Sequence, residues 1–286
     1  MHDFWDTSGY KEKIYFMASP GNKYGHIDKI NTEINKCSNE IYIEPFIGSC
    51  NVILNLQKDF KKKIGYDINK HILGIINTFS NINYNMLFEV YNNIVCMYGN
   101  IGKNKESYYK LRDYYNKVHY NNESDEGNVI LFYLIRSCIN SMSRFGPNGF
   151  NQSFGDRGRD AYFTNSSFNI IKSRLNTIEF EEKNFFNIDT GYFDKSDTVW
   201  FLDPPYFNST DTVYGKNFTN NDINGFLDII SNISGKVIFT HFEDELIDAK
   251  LESWRKVLLR KYNVSNISPN TKKQSLNIQE IMYCNF

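Results

Sequence analysis

The residues best suited to chemistry are Asp203-Pro204-Pro205-Tyr206. They follow Thr198-Val199-Trp200-Phe201-Leu202, a short apolar run that predicts a buried central strand. Two prolines lack N–H donors and cannot continue such a strand. They fix a rigid turn at its carboxyl end, where open α/β sheets bind ligands. The turn aims one carboxylate, one backbone carbonyl and one aromatic ring into a cleft. That set suits an exocyclic amine on a planar base. Asp203 and the carbonyl of Pro204 would accept both amine hydrogens and turn the nitrogen lone pair out of the ring plane. Tyr206 would stack on the base. The bland alternative is an Asx-Pro turn that merely closes a strand. The apolar strand before it and the tyrosine ending it favour a site.

A second cluster is Glu44-Pro45-Phe46-Ile47-Gly48-Ser49-Cys50. Glycine at a strand end lets backbone approach a ligand closely. No Lys-Ser/Thr pair follows, so this is not a phosphate-binding P-loop, and it is not GxGxxG. Asp67, at the end of the next predicted strand, fits a carboxylate that accepts ribose hydroxyls. The glycine turn alone is a weak signal, equally consistent with a plain strand–helix turn. Beside Asp67 and the Asp-Pro-Pro-Tyr turn it becomes strong.

The elements that must hold these residues can be read from pattern. A glycine turn over Ser19-Pro20-Gly21-Asn22-Lys23 precedes a helix from about Ile27. Glu40 to Phe46 alternates as a strand, and VILNLQ (52–57) looks helical. Lys63 to Asp67 is a second strand, followed by a helix near Asn69 to Phe79. This strand–turn–helix–strand unit points to an α/β domain with a parallel sheet. Helices are expected at 84–98, 105–119 and 128–143, the last with an apolar stripe broken by Arg136. A polar, glycine-rich loop, RFGPNGFNQSFGDRGRD, follows. The α/β rhythm then returns. A helix is expected at 166–176 and a strand at Thr177 to Glu181. After the buried strand come a helix at 221–231, a strand at Lys236 to Thr240 and a helix at 243–254. Strands at 257–262 and Ile278 to Asn285 end the chain.

Composition bounds these readings. The chain has 286 residues, 41% hydrophobic and 16% aromatic, too apolar for a disordered segment. No run of about 18 apolar residues predicts a membrane span. The opening MHDFWDTSGYKEK lacks a basic start followed by an apolar stretch, so no secretion signal is expected. Cys37, Cys50, Cys96, Cys138 and Cys284 are scattered and odd in number, as in a reducing cytosol. His2, His26, His71, His119 and His241 show no ligand spacing and read as structural or surface residues. The abundance of Asn, Ile, Lys and Tyr is explained by an AT-rich coding sequence. A net charge of −1 averages unlike regions. Residues 250–286 hold seven Lys/Arg against two acids, and 101–160 hold nine against seven. The balance permits nucleic acid as a partner without arguing for it.

The order of these motifs resembles the Dam-type (D12, class alpha) DNA adenine methyltransferases, including the EcoRV-type modification enzymes, nearly end to end. That order is a glycine-lysine turn, a PFxGxG-like turn, an acid at the second strand, a helical insertion, and (Asp/Asn)-Pro-Pro-(Tyr/Phe). The segment RSCINSMSRFGPNGFNQSFG is similar to the family's stretch ending in FNxPxG. Two positions depart: Cys50 stands where the family has the second glycine of FxGxG, and Ser19 where many members carry Tyr or Trp.

The resemblance implies a Rossmann-like S-adenosylmethionine-dependent methyltransferase sheet, mostly parallel with an antiparallel last strand. The catalytic domain would span 1–80 and 166–286, interrupted by a mostly helical target-recognition domain over 81–165. By position, Ser19 and Lys23 match the cofactor-contacting turn and Phe46 and Gly48 the methionine-side loop. Asp67 matches the ribose acid and Asn184-Phe185 the segment beside the cofactor's adenine. Asp203 would contact cofactor and target. Arg144 matches an arginine placed against target DNA, and Arg157 and Arg159 are loop arginines suited to phosphates or bases. The implied activity is site-specific methylation of adenine N6 in double-stranded DNA, with the base flipped out of the helix. The methyl donor would be S-adenosylmethionine, with no metal. The protein would be cytoplasmic, bacterial or phage-encoded, with a cognate restriction endonuclease sharing its site. Two other readings stand beside this one. The same chemistry could act on cytosine, RNA or protein glutamine, although glutamine methylation goes with Asn-Pro-Pro-Tyr. A degenerate module could bind cofactor or DNA without catalysis, although the intact Asp-Pro-Pro-Tyr argues against that.

Overall fold

The computed structural model describes residues 11–156, 158, 162–191, 193, 195–207, 220–265 and 275–286. In chain order the elements are α1 (Ile27–Ile34), β1 (Ile41–Glu44), β2 (Lys62–Asp67), α2 (Lys70–Asn81), α3 (Tyr84–Tyr98), α4 (Lys105–Val118) and α5 (Asp125–Ser137). There follow β3 (Phe145–Gly146), β4 (Gly149–Phe150), α6 (Asn165–Leu175), β5 (Glu179–Glu182), β6 (Thr198–Leu202) and α7 (Asn220–Ser231). The chain closes with β7 (Lys236–Phe242), α8 (Glu245–Lys250), β8 (Arg255–Ser265) and β9 (Ser275–Cys284). Contacts divide it into two compact units. One comprises 1–25, 47–57 and 67–182, the other 26–46, 58–66 and 183–286.

The second unit is built on a mixed sheet. Six of its strands follow one another as β2-β1-β6-β7-β9-β8. Pairing is parallel from β2 through β7, whereas β9 lies antiparallel between β7 and β8. Strand β6, Thr-Val-Trp-Phe-Leu, is buried at every position. A strand covered on both faces reads as a continuous apolar run, which is why it was legible without alternation. Trp200, Leu202, Phe226, Phe239 and Tyr283 form the core of this unit with Ile43 and Ile64. The strand order reverses at β1 and β6, whose carboxyl ends lie side by side in register Ile43 with Trp200. In open α/β sheets that reversal is where ligands bind.

The first unit is mainly helical. Its helices begin at side-chain caps: Asn69 for α2, Asn83 for α3, Asn104 for α4, Ser124 for α5 and Thr164 for α6. Each cap oxygen satisfies a backbone N–H that the first helical turn leaves unpaired. Phe16, Phe79, Phe132, Phe163 and Phe168 interlock as its aromatic core. Arg136, the break in the apolar stripe of α5, lays its guanidinium over Phe132 and Phe163 at 5.4 and 5.2 Å. That cation–π placement lets an arginine occupy an otherwise apolar face.

Several elements differ from the sequence reading. Helix α5 starts at Asp125, because Ser124 caps it, and stops at Ser137, not at 143. Beyond that point Cys138 pairs with Phe154 and the Gly155 amide donates to the Ser137 carbonyl at 3.0 Å. A Cβ on Gly155 would meet the backbone of Cys138 at 2.5 Å, so glycine is required at this crossing. The apolar VILNLQ forms only a 3-10 turn over Ile53–Asn55, and α8 is confined to Glu245–Lys250. Strands β8 and β9 are longer than expected because they pair with each other over their length. No helix among the described residues is long and apolar enough to cross a membrane.

Candidate active site

In the second unit, two sequence motifs leave neighbouring parallel strands. Phe46 follows β1, and Asp203-Pro204-Pro205-Tyr206 follows β6. The Asp203 carboxylate is half-buried, and its Oδ1 accepts a hydrogen bond of 2.7 Å from the Thr240 hydroxyl. The Thr240 hydroxyl also lies 3.3 Å from the Leu202 carbonyl. The next residue on β7, His241, holds the far end of the turn. Its Nε2 accepts from the Phe207 N–H at 2.8 Å, and its Nδ1 faces the Phe242 carbonyl at 2.9 Å. An acceptor at Nε2 and a donor at Nδ1 define the neutral Nδ1–H tautomer.

Tyr206 is clamped as well. Its hydroxyl donates to Oε1 of Glu280, a carboxylate on β9 that is 2% exposed. Its ring lies 4.2 Å from that of Phe242 and edge-on to His241 at 5.2 Å. Burial, then the charges of Asp203 and Glu280, holds the Tyr206 phenol far above its ordinary range. It is therefore a neutral donor. Of the expected cofactor residues in this unit, the Phe46 ring stacks on Phe185 at 5.5 Å. Phe185 is buried, while Asn184 spends its side chain capping its own turn at the Phe186 N–H.

The first unit carries the glycine turn and the acid. Asp67 is buried, and its Oδ2 accepts from the Gly48 N–H at 2.8 Å while Oδ1 accepts from the Asn69 N–H at 2.9 Å. Burial raises its pKa, against the lowering effect of the hydrogen bonds from Asn69, Gly48 and Ile68. A carboxylate offers about four acceptor positions, so a ribose hydroxyl remains compatible with this geometry beside the three backbone donors. Gly48 sits at φ +44°, with open space where a Cβ would be. Cys50 also adopts a left-handed φ, +59°, and is fully buried.

Ser19 and Lys23 are delivered by an amide ladder absent from the sequence reading. Gln57 bonds the amide and carbonyl of Lys11, and Asn55 those of Ile14. Asn51 bonds the Phe16 amide and the Met17 carbonyl. These side chains mimic a neighbouring strand and lay 11–17 along 51–57. That is why VILNLQ does not continue as a helix. The ladder ends at Ser19, whose hydroxyl lies 3.0 Å from that of Ser49. Lys23 is buried and donates to the Gly21 carbonyl at 2.8 Å.

Arg144 is exposed at the foot of the β3–β4 hairpin, with its Nε donating to Asn151 at 3.0 Å. Asn116 of α4 braces the hairpin by bonding both the N–H and the carbonyl of Phe150. A cleft of about 530 Å³ opens beside it, lined by Arg112, Lys117, Asn148 and Asn151 among others. Arg157 and Arg159 lie outside the described residues. Thr240, His241, Glu280 and the ladder amides are the site residues that sequence reasoning missed.

The parallel sheet with an antiparallel strand inserted before its last edge, and its reversal of strand order at β1 and β6, define a Rossmann-like methyltransferase fold. The model of the D12 class N6 adenine-specific DNA methyltransferases matches residues 19–267. The chain belongs to that family and is a DNA methyltransferase, for which S-adenosylmethionine is the implied methyl donor. It is 28% identical over 204 residues to the Type II methyltransferase M.MjaIII of Methanocaldococcus jannaschii, covering 69% of each chain. Among solved structures it is similar to precorrin-6y C5,15-methyltransferase from Geobacter metallireducens. That match has a TM-score of 0.38 and 8% identity over 90% of this chain and 86% of that one. A dimethyladenosine transferase from Plasmodium falciparum matches at TM-score 0.36 and 12% identity, over 93% of this chain and 62% of that one. Both structural likenesses are distant, and the fold rests on the strand order.

Proposed function

We propose that the protein methylates the exocyclic N6 of a specific adenine in double-stranded DNA, with the base rotated out of the duplex. The observation that carries this reading is the carboxylate of Asp203 at the end of β6, turned by the Thr240 hydroxyl on Oδ1. Asp203 and the Pro204 carbonyl accept the two amine hydrogens and direct the nitrogen lone pair toward the donor. Pro204 and Pro205 keep that pair of acceptors rigid. Tyr206 supplies a stacking face for the flipped base. Bound S-adenosylmethionine supplies an electrophilic methyl group on its sulfonium. Asp67 accepts its ribose hydroxyls, Gly48 gives close backbone approach, and Ser19, Lys23, Phe46, Asn184 and Phe185 complete its contacts.

Target choice falls to residues 81–165, and the rest of the chain forms the catalytic domain. Arg144 reads a base edge, with Arg157 and Arg159 on phosphates or bases. The supporting feature is the position of Arg144, exposed and tethered at a braced hairpin. The likeness to a Type II methyltransferase supports a place beside a cytoplasmic restriction endonuclease that shares the site.

The test is expression in a methylation-free host, with modified bases mapped by single-molecule sequencing. N6-methyladenine at one short sequence is expected, and its loss in Asp203→Ala with cofactor binding largely kept. Methyl groups found only on cytosine, RNA or protein would overturn the reading.

A further inference from the structure

Burying a carboxylate is costly unless its oxygens are matched by donors. Glu280 is such a group on β9, opposite Phe242 of β7 and Arg260 of β8. Both of its oxygens meet phenols: Oε1 accepts from Tyr206, and Oε2 accepts from Tyr262 at 2.9 Å. The His26 ring nitrogen stands 3.9 Å from Oε2. A valine or leucine would fill this core position more cheaply, so the acid marks a polar demand.

We propose that Glu280 is a positioning residue for methyl transfer, holding Tyr206 by its hydroxyl and so fixing the plane of the ring offered to the target base. This rests on the reading of Tyr206 as the stacking face. A tyrosine side chain has two soft torsions beyond its backbone. Here the backbone is set by Pro205 on one side and by the Phe207 N–H on His241 on the other. The ring is bounded by Phe242 and His241, and the hydroxyl is tied to a carboxylate. Charge-assisted hydrogen bonds are the stronger kind, so Glu280 holds the ring more firmly than a neutral acceptor would. Burial and the same carboxylate push the Tyr262 phenol up to about 12, so it also remains a donor. A stacking face fixed before the base arrives removes ordering that binding would otherwise require.

The experiment is a double-mutant cycle on the full chain with Glu280→Gln and Tyr206→Phe. The readouts are kcat and KM on duplex DNA, with 2-aminopurine fluorescence at the target position. Each single variant should lower kcat about tenfold, with the KM for S-adenosylmethionine unchanged. The double variant should be no worse than Tyr206→Phe, and Glu280→Gln should weaken the fluorescence rise. Equal losses from Glu280→Gln in both backgrounds, or no loss at all, would overturn the proposal. If Glu280→Gln does not fold, an unchanged kcat in Tyr206→Phe overturns it and a lowered one supports it. The ¹³Cζ resonance of Tyr206, observed without substrate, separates the two readings. A shift on Glu280→Gln in a chain that methylates no DNA would sink the assignment of the site but uphold the Glu280 contact. No shift would sink the contact itself.

Discussion

Thr240 donates its hydroxyl proton to Oδ1 of Asp203 at 2.7 Å, joining the middle of β7 to the first residue of the Asp-Pro-Pro-Tyr turn. One oxygen of the carboxylate is thereby engaged by the protein, and the plane of the group is set. Thr240 is fully buried, so this bond is shielded from water. A hydrogen bond to a charged group contributes about 1.5–3 kcal/mol. Thr240→Val keeps the shape and removes the donor. It should lower kcat roughly tenfold or more and lower the melting temperature as well, while leaving cofactor affinity nearly unchanged. Thr240→Ser should stay near the parent. Steady-state methylation with a defined duplex reads both, and an undiminished kcat in the valine variant would show that Asp203 needs no such partner.

The burial of Asp67, whose Oδ2 accepts from the Gly48 N–H, leads to a pH dependence. Burial raises the Asp67 pKa above its ordinary value of 3.8. A proton is then bound more tightly in the folded protein than in the unfolded chain. The stability this confers is complete below about 3.8 and is lost as pH rises through the raised value. If Asp67 accepts the ribose hydroxyls as proposed, cofactor binding should have the opposite sign, because those hydroxyls need the ionised acceptor. Affinity for S-adenosylmethionine should rise with pH across the same window, and Asp67→Asn should be weaker at neutral pH with that rise abolished. Calorimetric titration at a series of pH values measures both, and a parallel pH dependence in the variant would rule out Asp67 as its source.

Cys50 occupies a backbone conformation that favours glycine, φ +59°, with its thiol side chain fully buried. A non-glycine residue in the left-handed region costs about 1–2 kcal/mol. Cys50→Gly relieves that strain and forfeits a small packed side chain, so stability should change by less than about 1 kcal/mol. Cys50→Val adds a β-branch that this region excludes and should destabilise by more than about 2 kcal/mol. Thermal melts of the pair decide the matter. A valine variant as stable as the parent would mean that the backbone is free to leave the left-handed region.

How much of this was legible follows from where partners lie in the chain. Asp203 to Tyr206 announces itself because the motif packs its chemistry into consecutive residues, and Phe46, Gly48 and Asp67 become readable only beside it. Their supports do not, because they arrive across the sheet. Thr240 reaches Asp203 over 37 residues, His241 reaches Phe207 over 34, and Glu280 reaches Tyr206 over 74. Nothing local marks a threonine and a histidine on β7 and a glutamate on the neighbouring β9 as one clamp. The amides of Asn51, Asn55 and Gln57 were hidden differently. In a chain this rich in asparagine, three more amides carry no signal until their carbonyl and N–H partners on 11–17 are known. The start of α5 is set locally by the Ser124 cap, whereas its end depends on a distant partner. Its apolar run continues past Ser137, and only the crossing at Gly155 stops it.

The amide ladder should govern the cofactor turn through stability. Asn55 is fully buried, and its side chain accepts from the Ile14 N–H and donates to the Ile14 and Asn51 carbonyls. Asn55→Ala leaves buried donors and acceptors unpaired, at about 1–3 kcal/mol for each group. A loss of about 3 kcal/mol is expected, a large share of the stability of an ordinary domain. Asn55→Asp keeps one acceptor but sets a carboxylate against two carbonyl oxygens, so it should cost at least as much despite its near-identical shape. Because the ladder ends at Ser19, each variant should also weaken S-adenosylmethionine binding, even at temperatures where the protein remains folded. Urea denaturation gives the first quantity and calorimetry the second. If Asn55→Asp were as stable as the parent, the bonds donated by Asn55 would contribute nothing, and the segment would be held by Asn51, Gln57, the Arg174 bond to the Glu12 carbonyl and the packing of Phe16.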